Sequence, residues 1–413
     1  MKYNVNKLNS ICRICKSTNI DEFLNLDNMP FTDDFVSKNQ LGTEFLYPIG
    51  VFYCNDCKTV QTQHDVEVSD YYEDYQYSVG SSGFASEFMN NIAKNICNTY
   101  FPDTTDVRVL EVGSGDGGQL APFKALGCKV LGFEPSSYLV KVAAEKGIDS
   151  IQNLFTAESI KELPDEFKKV QVVFLSYTFD HLPDPVGFLK TALEILDNER
   201  GIIVIENHDL RKIFERQEYC LFEHEHSIYL TKSTAISLAK RNDMEVVGFD
   251  ILPEEMRRAN SLVFVMTPKR SKWHTKAINE YSLPEYNSIE FYNQQAQKIY
   301  SGISNFERYI EDKTAQGVSI AGYGAGGRGI MTLSALNNAD KLKYIVDKKP
   351  KADAVYTPKF HLPVYSIDHL KTEPVDEVIV FSFGYMTEIL TDLKSMGYKE
   401  SQIHSMLEIL KYN

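Results

Sequence analysis

Val107-Arg108-Val109-Leu110-Glu111-Val112-Gly113-Ser114-Gly115-Asp116-Gly117-Gly118 is the stretch that decides the fold. An apolar run carries an acid, Glu111, near its end and breaks two residues later into glycine, the pattern of a β-strand feeding a ligand-binding turn. Gly113, Gly115 and Gly118 satisfy G-x-G-x-x-G, where missing side chains let backbone approach a ligand and a helix begin beneath it. A second apolar run, Val130-Leu131-Gly132-Phe133, ends in Glu134, 21 residues after Gly113. That spacing puts a carboxylate on a ribose hydroxyl pair, while Glu111 stands where an ammonium-bearing ligand needs an acid. Pro135 and Ser176 complete the residues expected around this ligand.

Outward from this stretch the chain alternates strand and helix. Strands are expected at 107–112, 130–133, 148–153, 170–175 and 201–206, with helix-length segments between them, the rhythm of a parallel doubly wound α/β sheet. Two more, 245–251 and 261–267, are joined closely enough to pair antiparallel, unlike the six parallel strands of a dinucleotide domain. Residues 268–283 read as a polar linker holding the single tryptophan, Trp273. An amphipathic helix follows, with Tyr292, Ile299, Ile303, Phe306 and Ile310 on one face. The α/β rhythm then restarts in a second glycine loop, Gly322-Tyr323-Gly324-Ala325-Gly326-Gly327-Arg328-Gly329, and a strand ending in Asp347. Tyr323, Gly324, Arg328 and Asp347 are candidates to seat a diphosphate, Arg328 as the cation. The chain therefore divides into 1–75, 76–270 and 271–413.

At 413 residues the chain exceeds what one core organises. A formal charge of −14 argues against a nucleic-acid partner. No apolar run reaches the length of a membrane span and the first residues lack a signal-peptide core, so no membrane partner and a cytoplasmic location are expected. Cys12-Arg13-Ile14-Cys15 and Cys54-Asn55-Asp56-Cys57 can each turn two thiolates onto one ion. Four thiolates close a tetrahedral zinc site with no position left for water, which makes the expected metal structural. Cys97, Cys128 and Cys220 read as small core residues.

Two segments carry titratable groups where such sheets bind ligands. After the fourth strand come Asp180-His181-Leu182-Pro183-Asp184, and after the fifth Phe222-Glu223-His224-Glu225-His226. A histidine beside a carboxylate is held in one tautomer and suits proton abstraction near neutral pH; the H-x-H spacing also suits a second metal.

With the two C-x-x-C pairs, Tyr75, Tyr77, Ser81 and Ser82, the E-V-G-S-G-D-G loop, His181-x-Pro183-Asp184, His224-Glu225-His226 and the terminal Y-G-A loop, the chain resembles the bacterial nucleotide-sugar C-methyltransferases over nearly its whole length. The resemblance implies a zinc domain, a central S-adenosylmethionine domain and a C-terminal Rossmann-like domain that helps seat an NDP-linked 4-keto-deoxysugar. It also implies His226 as base, with His181, Tyr77 and Glu225 supporting, and an enolate that attacks the sulfonium methyl. The chain departs from that pattern at Glu223, where the family has tyrosine, at Ser176-Tyr177, at Ala259-Asn260 and at Phe383-Gly384. O- or N-methylation of a related nucleotide-sugar is the alternative. An NAD-dependent sugar oxidoreductase leaves Glu111 unexplained, and a non-catalytic zinc protein leaves the 223–226 cluster without purpose.

Overall fold

A computed structural model describes residues 3–8, 10–32, 34–67, 72–73, 83–258, 260–348 and 355–412. Tyr75, Tyr77, Ser81, Ser82 and Ala259 lie outside the described residues. The central sheet has seven strands in the order Met244–Phe249, Ser261–Pro268, Ile202–His208, Val172–Ser176, Arg108–Val112, Lys129–Phe133, Ser150–Ile151. All run parallel except Ser261–Pro268, which is antiparallel to both neighbours. Strand order reverses between Arg108–Val112 and Val172–Ser176, so the loops leaving these two strands part and open a crevice at their C-terminal ends.

The continuous apolar strands follow from burial on both faces. Val109, Val172, Phe174, Ile202 and Val204 pack with Phe88 and Ile92 of the helix Gly83–Tyr100. Leu110, Val173, Leu175, Ile203 and Ile205 point the other way, into a cluster that also holds Leu189, Ala235 and the zinc-type cysteines Cys12, Cys54 and Cys57. The period-two alternation of each strand thus joins the cysteine knuckles to one face of the central sheet.

A second seven-stranded sheet runs Ile403–Ser405, Glu377–Val380, Ile320–Tyr323, Ile345–Asp347, Pro363–Ser366, Val355–Tyr356, Val36–Ser37. Its edge strand comes from the N-terminal segment, Val36 lying opposite Tyr356. An antiparallel four-stranded sheet, Ile228–Tyr229, Val60–Thr62, Leu46–Cys54, Ile20–Pro30, likewise takes one strand from the central segment. The helix Ile289–Ala315 buries all five expected apolar residues. Tyr292 on its inner face lies 4.6 Å from the ring of Tyr53 and 5.1 Å from that of Phe23. Three stretches that read as consecutive in sequence exchange strands and share core.

The expected polar linker is packed: Trp273 sits edge-on to Tyr100 at 5.2 Å and donates its indole N–H to the Arg200 carbonyl at 2.9 Å.

Candidate active site

Glu111 lies in the strand bordering the crevice, 2% exposed, and its Oε2 has no hydrogen-bond partner among the described residues. Burial, reinforced by the nearby Glu134, holds its carboxyl well above the usual carboxylate range. An unpaired buried carboxylate is costly unless a cation arrives, and an ammonium supplies one. Glu134 is also buried; its Oε2 accepts from Gly115 N at 2.8 Å and its Oε1 from Ser136 N at 2.9 Å, so it shapes the loop it faces. Pro135 lies between those two anchor points. Gly113, at φ +70°, is obligatory: a Cβ there would sit 2.6 Å from Thr178 Oγ1, the loop across the crevice. The G-x-G-x-x-G spacing selects Gly118, yet the left-handed backbone falls at Gly117, φ +75°, while Gly118 N donates to Asp116 Oδ1 at 3.1 Å. Ser176 Oγ donates to Glu206 Oε2 at 2.6 Å and accepts from Arg258 Nη1 at 3.0 Å, part of a buried acid–base network.

Beyond the first glycine loop the loops after the fourth and fifth strands converge. Ser227 N donates to the Asp180 carbonyl at 2.7 Å, which sets His226 beside Asp180 and His181. The His226 ring is 4.9 Å from those of both His181 and His208. Its Nδ1 lies 2.8 Å from the Leu221 carbonyl. A carbonyl only accepts, so neutral His226 carries its proton on Nδ1 and keeps a lone pair on Nε2. Glu225 Oε2 lies 3.4 Å from His181 Nδ1, and the Tyr72 hydroxyl reaches the same nitrogen at 3.1 Å. Burial, with His226 adding to it, holds the His181 imidazole down at about 3.

Two residues of this cluster escaped the sequence reading. His208 ends the fifth strand, and its Nδ1 lies 2.8 Å from Asp180 Oδ2. Asp180, His208 and His226 bring one ligand-type atom each within 4.8 Å of one another. The available signal was position: His208 stands two residues past the expected end of that strand, at the crevice. Tyr72 belongs to the tyrosine-dense run preceding Tyr77.

Glu223 and His224 face elsewhere. His224 Nε2 lies 3.0 Å from the Met29 carbonyl and Nδ1 2.8 Å from His64 Nε2, so both ring nitrogens are engaged with the N-terminal segment. Burial lowers His224 to about 4. Glu223 Oε2 accepts from Thr32 Oγ1 at 3.0 Å, and Thr32 in turn crowds the C-terminal glycine loop, where a Cβ on Gly327 would meet Thr32 Cγ2 at 2.7 Å. Glu223 thus stands where three parts of the chain meet.

The cysteines converge as expected. Cys12 and Cys57 sulfurs are 3.5 Å apart, as are those of Cys15 and Cys54, and all four lie within 4.8 Å of one another. Zinc–sulfur bonds of about 2.3 Å imply tetrahedral sulfur–sulfur distances of about 3.8 Å, so the donor set fits that ion. Each knuckle closes by a backbone bond, Lys16 N to the Cys12 carbonyl and Lys58 N to that of Cys54, with both lysines left-handed.

In the C-terminal unit Asp347 Oδ2 accepts from Ala325 N at 2.9 Å and fixes the glycine loop. Arg328 stacks over Phe383 at 5.1 Å, its Nε is buried without a hydrogen-bond partner among the described residues, and its charge acts on Glu218, Tyr177 and His208. Tyr323 and Gly324 form the strand end and turn beneath it.

Family models match three successive segments: a zinc binding domain over 12–72, a methyltransferase domain over 85–249 and a C-methyltransferase C-terminal domain over 261–406. The chain is an S-adenosylmethionine-dependent methyltransferase with a four-cysteine zinc site. More particularly, the last of these segments matches a C-methyltransferase C-terminal domain, and the chain is similar to C-methyltransferase NovU of Streptomyces niveus, 22% identical over 389 residues, 93% of this chain and 92% of that protein. Solved structures similar to it include a SAM-dependent methyltransferase from Archaeoglobus fulgidus, at 17% identity and TM-score 0.32 over 43% of this chain and 93% of that one. Another is the CcbJ methyltransferase of Streptomyces caelestis, at 16% identity and TM-score 0.35 over 47% of this chain and 100% of that one. Among the described residues no helix is long and apolar enough to cross a membrane.

Proposed function

We propose that the protein methylates carbon in a nucleotide-linked deoxysugar, at the position beside a 4-keto group. The observation that carries this reading is the His226 tautomer: Leu221 holds the Nδ1 proton and leaves the Nε2 lone pair in the cluster beside the methyl-donor pocket. A ketone acidifies the neighbouring C–H, His226 Nε2 takes that proton, and His181 with Tyr72 supplies polar groups for the oxygen that becomes anionic. Tyr77 and Glu225 are assigned supporting roles with them. The bound donor supplies an electrophilic methyl on sulfur. Glu111 is the partner for the donor's ammonium and Glu134 for its ribose hydroxyls, with Gly113, Gly115 and Gly118 beneath them. Arg328, reached from the C-terminal unit and acting electrostatically on His208 and Tyr177, is the cation for the diphosphate, and Tyr323, Gly324 and Asp347 shape its loop.

Incubating a nucleotide 4-ketosugar panel with the protein and S-adenosylhomocysteine in deuterated water tests the reading. Deuterium is expected at the carbon beside the ketone, and His226→Asn is expected to slow that exchange by roughly 10²- to 10⁴-fold. A substrate that turns over with its new methyl on oxygen or nitrogen, and without exchange, overturns it.

A further inference from the structure

We propose that Asp180, His208 and His226 act as one proton-accepting unit, His226 receiving the substrate proton while Asp180, reached through His208, supplies the negative charge that stabilises it. This rests on the reading of His226 as base and adds two residues to it. Asp180 is 1% exposed, in the short helix after the fourth strand, and its Oδ2 holds His208 at 2.8 Å while its Oδ1 has no hydrogen-bond partner among the described residues. A buried carboxylate in that state needs compensation by positive charge. Burial alone would raise its pKa, but the hydrogen bond from His208 Nδ1 holds it below the usual carboxylate range.

The Nδ1 partner of His226, the Leu221 carbonyl, is neutral, and the rings against His226 are His181, His208 and Tyr229. Once His226 takes a proton, the positive ring is buried beside two imidazoles that burial already pushes toward neutrality. The charge of Arg328 likewise disfavours protonation of His208. Glu225 faces His181, Tyr177 faces His208 at 4.6 Å, and Glu206 is tied to Arg258 at 3.1 Å. Asp180 is the carboxylate bonded to His208, whose ring lies 4.9 Å from that of His226.

The balance is simple. The C–H bond breaks, its electron pair forms the new C–CH₃ bond as the sulfonium becomes a thioether, and the proton moves to His226 Nε2 and then to water. Asp180 and His208 make and break no bond to carbon; they are positioning residues. His208 holds its Nδ1 proton toward Asp180, so its Nε2 is also an acceptor.

Selective ¹⁵N-histidine labelling of the full zinc-loaded chain, with nine histidines in total, reads the unit without substrate. The wild-type spectrum is expected to show His226 and His208 as Nδ1–H tautomers; either ring found as Nε2–H overturns the proposal. In Asp180→Asn the titration midpoint of the histidine cluster is expected to fall by about one unit or more, since removing a nearby negative charge disfavours the imidazolium, and Asp180→Glu to restore it. Retained S-adenosylhomocysteine binding verifies the fold of each variant. An unmoved midpoint in Asp180→Asn overturns the proposal. So does a second zinc or manganese ion per chain after dialysis against that metal, lost in His208→Asn, because the cluster is then a metal centre. None of these readouts involves the sugar, so the deuterium-exchange result stands or falls separately.

Discussion

Glu111, proposed above as the partner of the donor's ammonium, couples stability to ligand capture on that reading. Its carboxyl is buried, lacks a partner on Oε2 and is held well above its ordinary pKa. A carboxyl raised in the folded state adds stability that is full below its unfolded pKa and disappears as pH climbs through the folded one. At neutral pH the donor-free protein therefore bears a cost at this position. Glu111→Gln is expected to raise the melting temperature of the free protein by an amount equivalent to about 1–3 kcal/mol. The same substitution should weaken S-adenosylhomocysteine and abolish the proton release that calorimetry in buffers of different ionisation enthalpy detects for wild type. Equal proton release in both proteins refutes the assignment. Glu134→Ala is expected to weaken S-adenosylhomocysteine by roughly 2 kcal/mol, because it frees Gly115 N and Ser136 N along with the ribose contact. Unchanged affinity by titration calorimetry contradicts that role.

At the scale of elements, the strand Val60–Thr62 links metal to chemistry. It follows the second cysteine knuckle and pairs with Ile228–Tyr229, two residues after His226. Thr62 N donates to the Ser227 carbonyl and Thr62 Oγ1 to that of His226, each at 3.1 Å. Arg13, inside the first knuckle and 3% exposed, is paired with Asp65 at 2.6 Å and donates to the Pro183 carbonyl at 3.0 Å, in the loop carrying His181. The knuckles thus brace both histidine loops. Cys57→Ser is expected to release the zinc and cut turnover at least tenfold, with donor affinity within about threefold of wild type, since Glu111, Gly113 and Glu134 hang on other strands. Metal analysis, calorimetry and rate measurement on one preparation check all three parts, and a parallel fall in donor affinity refutes the separation.

Across the whole molecule, three sheets meet around the crevice. Val36–Ser37 completes the C-terminal sheet, Ile228–Tyr229 completes the N-terminal one, and Arg328 brings its charge to bear on His208 from the second glycine loop. Pairing across distant sequence in this way fixes the acceptor site only when all three parts are folded together. Arg328→Ala is expected to raise the KM for a nucleotide 4-ketosugar by tenfold or more, as loss of a charge-assisted diphosphate contact does, while S-adenosylhomocysteine affinity holds. A KM within twofold of wild type refutes the diphosphate role.

What the sequence determined by itself is local. The succession of strands and helices and the close joining of the final strand pair follow from apolar periodicity, and the first glycine loop with its flanking acids from residue spacing. The cysteine set follows from thiolate spacing, because in each case the decisive neighbours lie within a few dozen residues. The tertiary structure decided what depends on direction. His224 and His226 share one motif yet point apart, one ring engaged by Met29 and His64, the other by Leu221. Asp180 and His208, 28 residues apart, meet only because the parallel neighbouring strands Val172–Ser176 and Ile202–His208 end side by side. Strand exchange between segments more than 150 residues apart leaves no periodic trace, since a two-residue strand such as Val36–Ser37 becomes a strand only when its partner arrives.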